Sequence, residues 1–354
     1  MKIKLVAIDL AKLVFQVCII LSSGKVRSNK KYSREKFIEL LKDLAPTPIA
    51  MEACATAHYW GRRLQKAGHV VKLVPAQHVK AFCRVHKSDA GDALAIAEAA
   101  QRPDIRFVPV KTVAQQDLQL LGRVRSRLVA QRSEAICQLR GLAGEYGVIF
   151  PKRRALLMRE VRAALEDADN GLTAVARHSL RDLLDDVCAL DLRIEAVMAQ
   201  LTELAQLQPA YERLLGIPGF GAVVAPAFIA AVGDGKQFRR GRDVAAWLGL
   251  VPRQDGTGGI TKLKHITKNG DRDVRTMLIH GARAVLTWAH KRDDAKSRWV
   301  LALKARRGMN RAVVAYANKL ARIGWAVLRH GEAYDVNKAF RNPSRPAQEV
   351  RAAA

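Results

Sequence analysis

The chain has 354 residues, 60 Lys plus Arg against 33 Asp plus Glu, a formal net charge of +27 and 49% hydrophobic residues. That composition excludes a disordered basic tail, and at roughly 100–200 residues per domain the length predicts two or three domains. Cys18, Cys54, Cys83, Cys137 and Cys188 are odd in number, widely spaced and free of any Cys-x-x-Cys pair, which argues against a disulfide framework or a zinc site and fits a reducing cytoplasm.

The opening MKIKLVAIDL lacks an apolar core followed by a small-residue cleavage site, so no secretory signal is expected. Residues 3–9 and 13–21 are β-branched and apolar, and Ser22-Ser23-Gly24-Lys25 is a hairpin signal before a further strand from Val26. Ser33 then caps a helix over 33–41. A strand at 48–51, a helix at 57–67 and a strand at 70–74 follow, and helices at 77–85 and 90–101 complete a β-β-β-α-β-α-β-α-α order.

Four carboxylates fall at the ends of these elements. Asp9 ends the first strand, Glu52 ends the fourth, and Asp89 and Asp92, three apart, share one face at the start of the last helix. Carboxylates held together repel unless a cation sits among them, and Mg²⁺ or Mn²⁺ takes hard oxygen ligands and assists phosphoryl transfer. The alternative is a strand end at the surface and a helix N-terminus that favours acids for its dipole. Spacing alone leaves both open.

In the middle of the chain, Leu183, Val187, Leu190, Ile194, Val197, Leu201 and Leu204 recur at alternating spacings of four and three, a heptad seam. A coiled coil between copies and a helical hairpin within one chain bury such a seam equally well. Residues 117–142 also read as helix, with Leu121, Val124 and Leu128 on one stripe, and Pro151 with Lys152-Arg153-Arg154 separates the two. The uncharged run at 214–233 is interrupted by Pro218, Gly219 and Gly221, so it falls short of the ~20 residues of a membrane span.

That interruption, followed by an apolar helix over 222–232, predicts a helix-hairpin-helix-like turn whose Gly219 and Gly221 let backbone N–H groups approach a DNA phosphate. A tight turn made only for packing is the other reading. Residues 251–259 are expected as a flexible Gly-rich loop that presents the Thr257 hydroxyl among Arg253, Lys262, Lys264, Lys268, Arg272 and Arg275. A helix over 311–329 buries Val314, Ala317, Leu320, Ala321, Gly324 and Val327. Trp247, Trp288, Trp299 and Trp325 can stack on unpaired bases or fill cores. From 336 to 354 the prolines and polar residues predict a disordered tail.

Charge follows these divisions. Residues 1–108 carry 19 basic and 9 acidic side chains, 109–209 carry 14 and 13, and 210–354 carry 27 and 11. Two basic lobes flank a nearly neutral spacer, the electrostatic footprint of salt-dependent nucleic-acid binding, with a merely soluble basic surface as the alternative.

The segments VAIDLAK, MEACATAHYWGRRL, VVKLVPAQHVKAF and HKSDAGDALAIAEAA resemble the N-terminal part of the DEDD transposases of the bacterial insertion-sequence 110 family, especially its 1111 subgroup. The likeness extends through GLVPRQ, ITKNGDRDVRTMLIHGARAVL and NRAVVAYANKLARIGWAVL to nearly the whole chain. It implies an α/β ribonuclease H-like (RuvC-like) catalytic domain at 1–108, a spacer at 109–209 that assembles dimers or tetramers, and a mostly helical C-terminal transposase domain at 210–335. It further implies that Asp9, Glu52, Asp89 and Asp92 bind Mg²⁺ (or Mn²⁺), and that a structured bridge RNA pairs with donor and target DNA.

Family members also carry a nucleophilic serine in the Gly-rich loop, which holds the broken strand as a phosphoester. Here no serine lies between Gly241 and Arg275, and Gly256 stands where subgroup relatives usually have one. Thr257 is the nearest hydroxyl. The expectation is therefore an insertion-sequence transposase cutting and rejoining DNA in the cytoplasm through a covalent step. The alternatives are a metal-dependent junction endonuclease without that step and a cleavage-deficient nucleic-acid-binding relative.

Overall fold

β-branched runs at the start of the chain form the sheet on which the N-terminal unit is built. A computed structural model describes residues 2–83 and 88–340. The chain forms two compact units, one of Met1–Val113 with Lys236–Arg239, the other of Ala114–Gly235 with the residues from Arg240 onward.

The first unit runs β1 (Ile3–Leu10), β2 (Val14–Leu21), β3 (Val26–Ser33), α1 (Arg34–Asp43), β4 (Pro48–Glu52), α2 (Ala57–Lys66), β5 (Val70–Val74), α3 (Ala76–Lys80) and α4 (Asp89–Ala99). This is the expected order. The sheet order is β3-β2-β1-β4-β5, with β2 antiparallel to both neighbours and β4 and β5 parallel to β1. The helix expected over 77–85 is a short α3, and its last two residues lie outside the described ones.

Strands covered on both faces have to be apolar on both, which is why β1 and β4 read as continuous hydrophobic runs. Leu5, Ala7, Cys18, Ile20, Ala50 and Val74 pack with Ala93, Ile96 and Ala97 of α4 and with Ala100 at its end. On the other face Val6, Ile8, Phe15, Val17, Ile49 and Met51 pack with Phe37 of α1 and Trp60 and Leu64 of α2. Phe15, Phe37 and Trp60 meet with ring centroids 4.9–5.3 Å apart. The start of α1 is set by Ser33, whose Oγ accepts the Lys36 N–H.

The second unit opens with three helices, α5 (Val113–Gly144), α6 (Arg154–Glu166) and α7 (Ala174–Gln206). Ile136, Leu139 and Ala143 of α5, Leu157, Val161 and Leu165 of α6, and Leu180, Leu184 and Val187 of α7 form one core. Arg132 of α5 donates to Asp191 of α7 at 2.8 Å, and Arg125 to the Met198 sulfur at 2.9 Å. The two long helices thus pair within the chain. Val187, Ile194 and Leu201 of the heptad seam are buried, and Leu183, Leu190, Val197 and Leu204 are half-buried.

The chain continues through α8 (Tyr211–Leu215), α9 (Val224–Val232), α10 (Gly241–Trp247), a two-stranded antiparallel sheet of β6 (Pro252–Thr257) and β7 (Ile260–Ile266), then α11 (Arg272–Trp288), α12 (Ala295–Arg307), α13 (Met309–His330) and α14 (Val336–Phe340). α9 packs against Phe220 and α13, and its uncharged sequence reflects that burial. Of the stretch expected as a tail, 336–340 form α14, because Phe340 stacks on Tyr316 at 6.2 Å and meets Trp299 edge-on at 5.6 Å. Residues 341–354 lie outside the described ones. Among the described residues no helix is long and apolar enough to cross a membrane.

Candidate active site

Asp9 and Glu52 each follow a residue of the parallel pair Ile8–Met51, so the two carboxylates leave adjacent ends of β1 and β4. Asp92 comes from the first turn of α4, whose start is fixed by the Ser88 Oγ accepting the Gly91 N–H. Because α4 lies across the face of β1, that first turn is carried to the same end of the sheet.

Two thiols register the convergence. The Cys83 thiol donates to an Asp92 carboxylate oxygen at 3.6 Å. Desolvation first, then Asp92, Glu52 and Asp9, hold its pKa above the usual thiol range. Burial raises Cys54 likewise, and Glu52 and Asp9 add to it. Asp89 forms an ion pair with Lys31 of β3 at 2.8 Å. Among the described residues no group of three or more His, Cys, Asp or Glu side chains is closed tightly enough to hold a metal ion.

Two supporting residues escaped the sequence reading. Gln16, buried and opposite Asp9 in the β1–β2 pair, donates to the Asn29 side chain at 2.7 Å. Asn29 in turn donates to the Ala90 carbonyl in the first turn of α4 at 2.9 Å. A single glutamine inside the apolar run VFQVCIIL was the available signal, since a buried amide requires partners.

In the second unit the segment expected as a flexible loop is an ordered ribbon. Gly258 and Gly259 have φ of +57° and +81°, the left-handed pair that a two-residue hairpin turn demands. The turn places Thr257 at the tip, paired with Ile260, while Asp255 pairs with Lys262. Side chains alternate along a strand, so Arg253, Asp255 and Thr257 share one face with Lys262 and Lys264. Asp255 forms ion pairs with Lys264 and, at 3.3 Å, with Arg253. The Thr257 residue is exposed. The ribbon therefore displays a hydroxyl beside three cations and one carboxylate.

Lys268 and Arg272 are exposed beyond the ribbon, Arg272 as the first residue of α11. Arg275, expected with the phosphate-binding cations, is buried and donates to the Leu248 and Asn269 carbonyls at 3.1 and 2.7 Å, which ties α11 to the chain on either side of the ribbon.

The turn between α8 and α9 is packed closely at one glycine and open at the other. Gly219 has φ of +108°, and a Cβ there would come within 2.8 Å of Leu320 of α13. The Tyr316 hydroxyl donates to the Pro218 carbonyl at 2.8 Å. Gly221 borders open space.

The comparisons with known proteins fall on these same two regions. A family model for the DEDD transposase domain of the IS110 type, described as "Transposase", matches residues 6–147 and spans Asp9, Glu52, Asp89 and Asp92. A second, described as "Transposase IS116/IS110/IS902 family", matches residues 211–299 and spans Thr257 and the ribbon cations. A probable family 20 transposase of Pseudomonas aeruginosa is 43% identical over 335 residues, covering 94% of this chain and 99% of its own. The chain belongs to the IS110 family of transposases.

The transposase for insertion sequence element IS1111A of Coxiella burnetii is 40% identical over 94% of this chain and 91% of its own. That for IS1328 of Yersinia enterocolitica is 34% identical over 94% and 98%. As an IS110-family transposase the protein is a DNA phosphoryl-transfer enzyme. DEDD transposase domains in general use divalent metal ions.

Proposed function

We propose that this transposase excises and inserts DNA by Mg²⁺- or Mn²⁺-dependent strand cleavage, with the cut strand held on Thr257 until it is rejoined. The observation that carries this reading is the convergence of Asp9, Glu52 and Asp92 at one end of the sheet, where their charges bear together on Cys83. An all-carboxylate donor set suits a hard divalent cation. Asp9, Glu52 and Asp92 would hold the metal, and Asp89 completes the set on leaving Lys31. A bound metal would polarise the phosphate and offset its negative charge.

Thr257 acts through its Oγ1. A bond forms from that oxygen to phosphorus as one bond from phosphorus to a sugar oxygen breaks, and the hydroxyl proton ends on the displaced sugar oxygen. The phosphoester keeps the bond energy, and attack by a new strand's hydroxyl restores the threonine. Arg253, Lys262 and Lys264, on the Thr257 face, neutralise the phosphate, while Asp255 holds Arg253 and Lys264 in place. Gly219 and Gly221 at the helix-hairpin-helix-like turn, with Lys268 and Arg272, grip the backbone without reading sequence.

Specificity comes from a bridge RNA paired to donor and target DNA, and the work is done by a dimer or tetramer. The half-buried Leu183, Leu190, Val197 and Leu204 of the α7 seam support a coiled-coil contact between copies. The test combines protein, Mg²⁺, the element's RNA and labelled element-end DNA. Strand joining that requires both metal and RNA is expected. A second reading, a junction endonuclease without a covalent step, is favoured by Gly256 in place of a serine, and free nicked ends would support it. Intact DNA in a salt-sensitive complex would point to a cleavage-deficient relative.

A further inference from the structure

The second unit contains a cavity of about 680 Å³ between α10, α13 and α14, away from the ribbon and from the α8–α9 turn. Its volume lies within the range of small-molecule sites. Arg242, in the first turn of α10, and Lys319 and Arg322, three apart on α13, line it together with Trp325 and Tyr334. Among the described residues none of these three cations makes an ion pair. The acids on the α14 side are Glu332 and Asp335, and Glu332 is paired with Lys338 at 2.5 Å.

Cations gathered without an acid between them repel one another, and they are gathered at a cost unless an anion joins them. Desolvation and the neighbouring Arg322 hold Lys319 below its usual pKa, and desolvation and Arg242 do the same to Arg322. The aromatic side is fixed rather than adaptable. The Trp325 indole donates to the Gly235 carbonyl at 2.9 Å, and a Cβ at Gly235 or Gly241 would come within 2.9 or 3.2 Å of that ring. Lys319 is held over the Phe340 ring at 4.1 Å. The Tyr334 hydroxyl is buried and has no hydrogen-bond partner among the described residues, with Asp294 and Asp335 near it.

We propose that this cavity binds one unpaired nucleotide of a nucleic-acid strand, its phosphate on Arg242, Lys319 and Arg322 and its base against Trp325 and Tyr334. The combination of three cationic side chains with two aromatic rings fits a nucleotide better than a bare inorganic anion, which would leave the rings unused. DNA and RNA share this chemistry. The proposal rests on the reading that the chain handles nucleic acid, but not on the cleavage chemistry.

The test uses the full-length protein in EDTA, so that loss of catalysis cannot mask it. Fluorescent hexathymidylate, hexauridylate and a short DNA duplex are titrated over a salt series. Arg242→Ala with Arg322→Ala is expected to weaken a hexanucleotide by on the order of tenfold and to flatten its salt dependence by a slope of about 1.4, two contacts' worth for a single strand. The corresponding double lysine variant, R242K with R322K, restores the slope. Whichever hexanucleotide loses more identifies the strand. A photoreactive 5-iodouracil in that strand is expected to cross-link to Trp325 or Tyr334. Unchanged hexanucleotide affinity in the double alanine variant, an equal loss for the duplex, or cross-links confined to the ribbon would overturn the proposal. Retained hexanucleotide binding in a protein that never cleaves DNA would count against the catalytic reading alone.

Discussion

Asn29 on β3 donates a hydrogen bond to the carbonyl of Ala90 at 2.9 Å, and so fastens the sheet to the turn of α4 that carries Asp89 and Asp92. Gln16, across from Asp9, holds the Asn29 side chain in turn. Replacing Asn29 by Ala removes the link without touching a carboxylate. We expect cleavage to slow by about ten- to a hundredfold, the usual consequence of a small misplacement of catalytic groups. The loss should fall on kcat with KM nearly constant. A change in KM alone would mean that the link serves DNA binding.

Asp9→Asn and Asp92→Asn each remove one charge from the convergent carboxylates. Cleavage should drop by at least about a thousandfold, since metal-assisted charge stabilisation amounts to several kcal/mol. DNA affinity measured by gel shift should hold or tighten, as a negative charge has left a basic field. Full cleavage in both variants would remove the metal-site assignment.

A Cβ at Gly281 of α11 would collide with the Gly219 carbonyl oxygen, a contact with backbone that cannot swing aside. Helix propensity favours Ala over Gly by about 1 kcal/mol, while overpacking costs about 1–3 kcal/mol. The clash should win. Gly281→Ala is expected to lower the melting temperature, whereas Gly221→Ala, which faces open space, should leave it within a degree or so. Equal melting temperatures for G281A and the parent would show that the α8–α9 turn is looser than described.

His58 in the first unit accepts the Lys111 backbone N–H on Nδ1 at 3.2 Å. Burial, then Lys111 and Arg62, lower its pKa from 6.5 to about 4. The unfolded chain takes up a proton below 6.5 that the folded one refuses until about 4, so this residue's contribution is present above pH 6.5 and is lost as pH falls toward 4. His58→Asn keeps an acceptor and removes the titration. Urea midpoints of the parent should fall more steeply than those of the variant across that window, and parallel curves would contradict the assignment.

The sheet was legible because burial of β1, β2 and β4 forces unbroken apolar runs, and Ser33 and the Ser22–Lys25 turn mark element ends chemically, including those of the exposed, polar β3. The ribbon was not. Its strands are exposed on both sides, so PRQDGT and ITKLKHI show no hydrophobic alternation, and the glycines at 256, 258 and 259 read as flexibility although two of them close a hairpin. Arg275 was misplaced for a similar reason: composition marks a cation but cannot reveal that two backbone carbonyls claim it. In the candidate site the four acids stand at the element ends the sequence predicts, and Asp9, Glu52 and Asp92 act together on Cys83 while Asp89 pairs with Lys31. The Gln16–Asn29–Ala90 chain was hidden because it joins residues far apart in sequence.

In the proposed reaction Thr257, at the ribbon tip beside Arg253, Lys262 and Lys264, carries the broken strand. The direct measurement is denaturing electrophoresis of the protein after reaction with Mg²⁺, the element's RNA and labelled element-end DNA, followed by mass spectrometry of any labelled peptide. A covalent adduct on Thr257 is expected in the parent, a faster one with the less hindered Thr257→Ser, and none with Thr257→Ala or Asp9→Asn. Nicked DNA with no adduct in the parent, or an adduct that persists in Thr257→Ala, would contradict it.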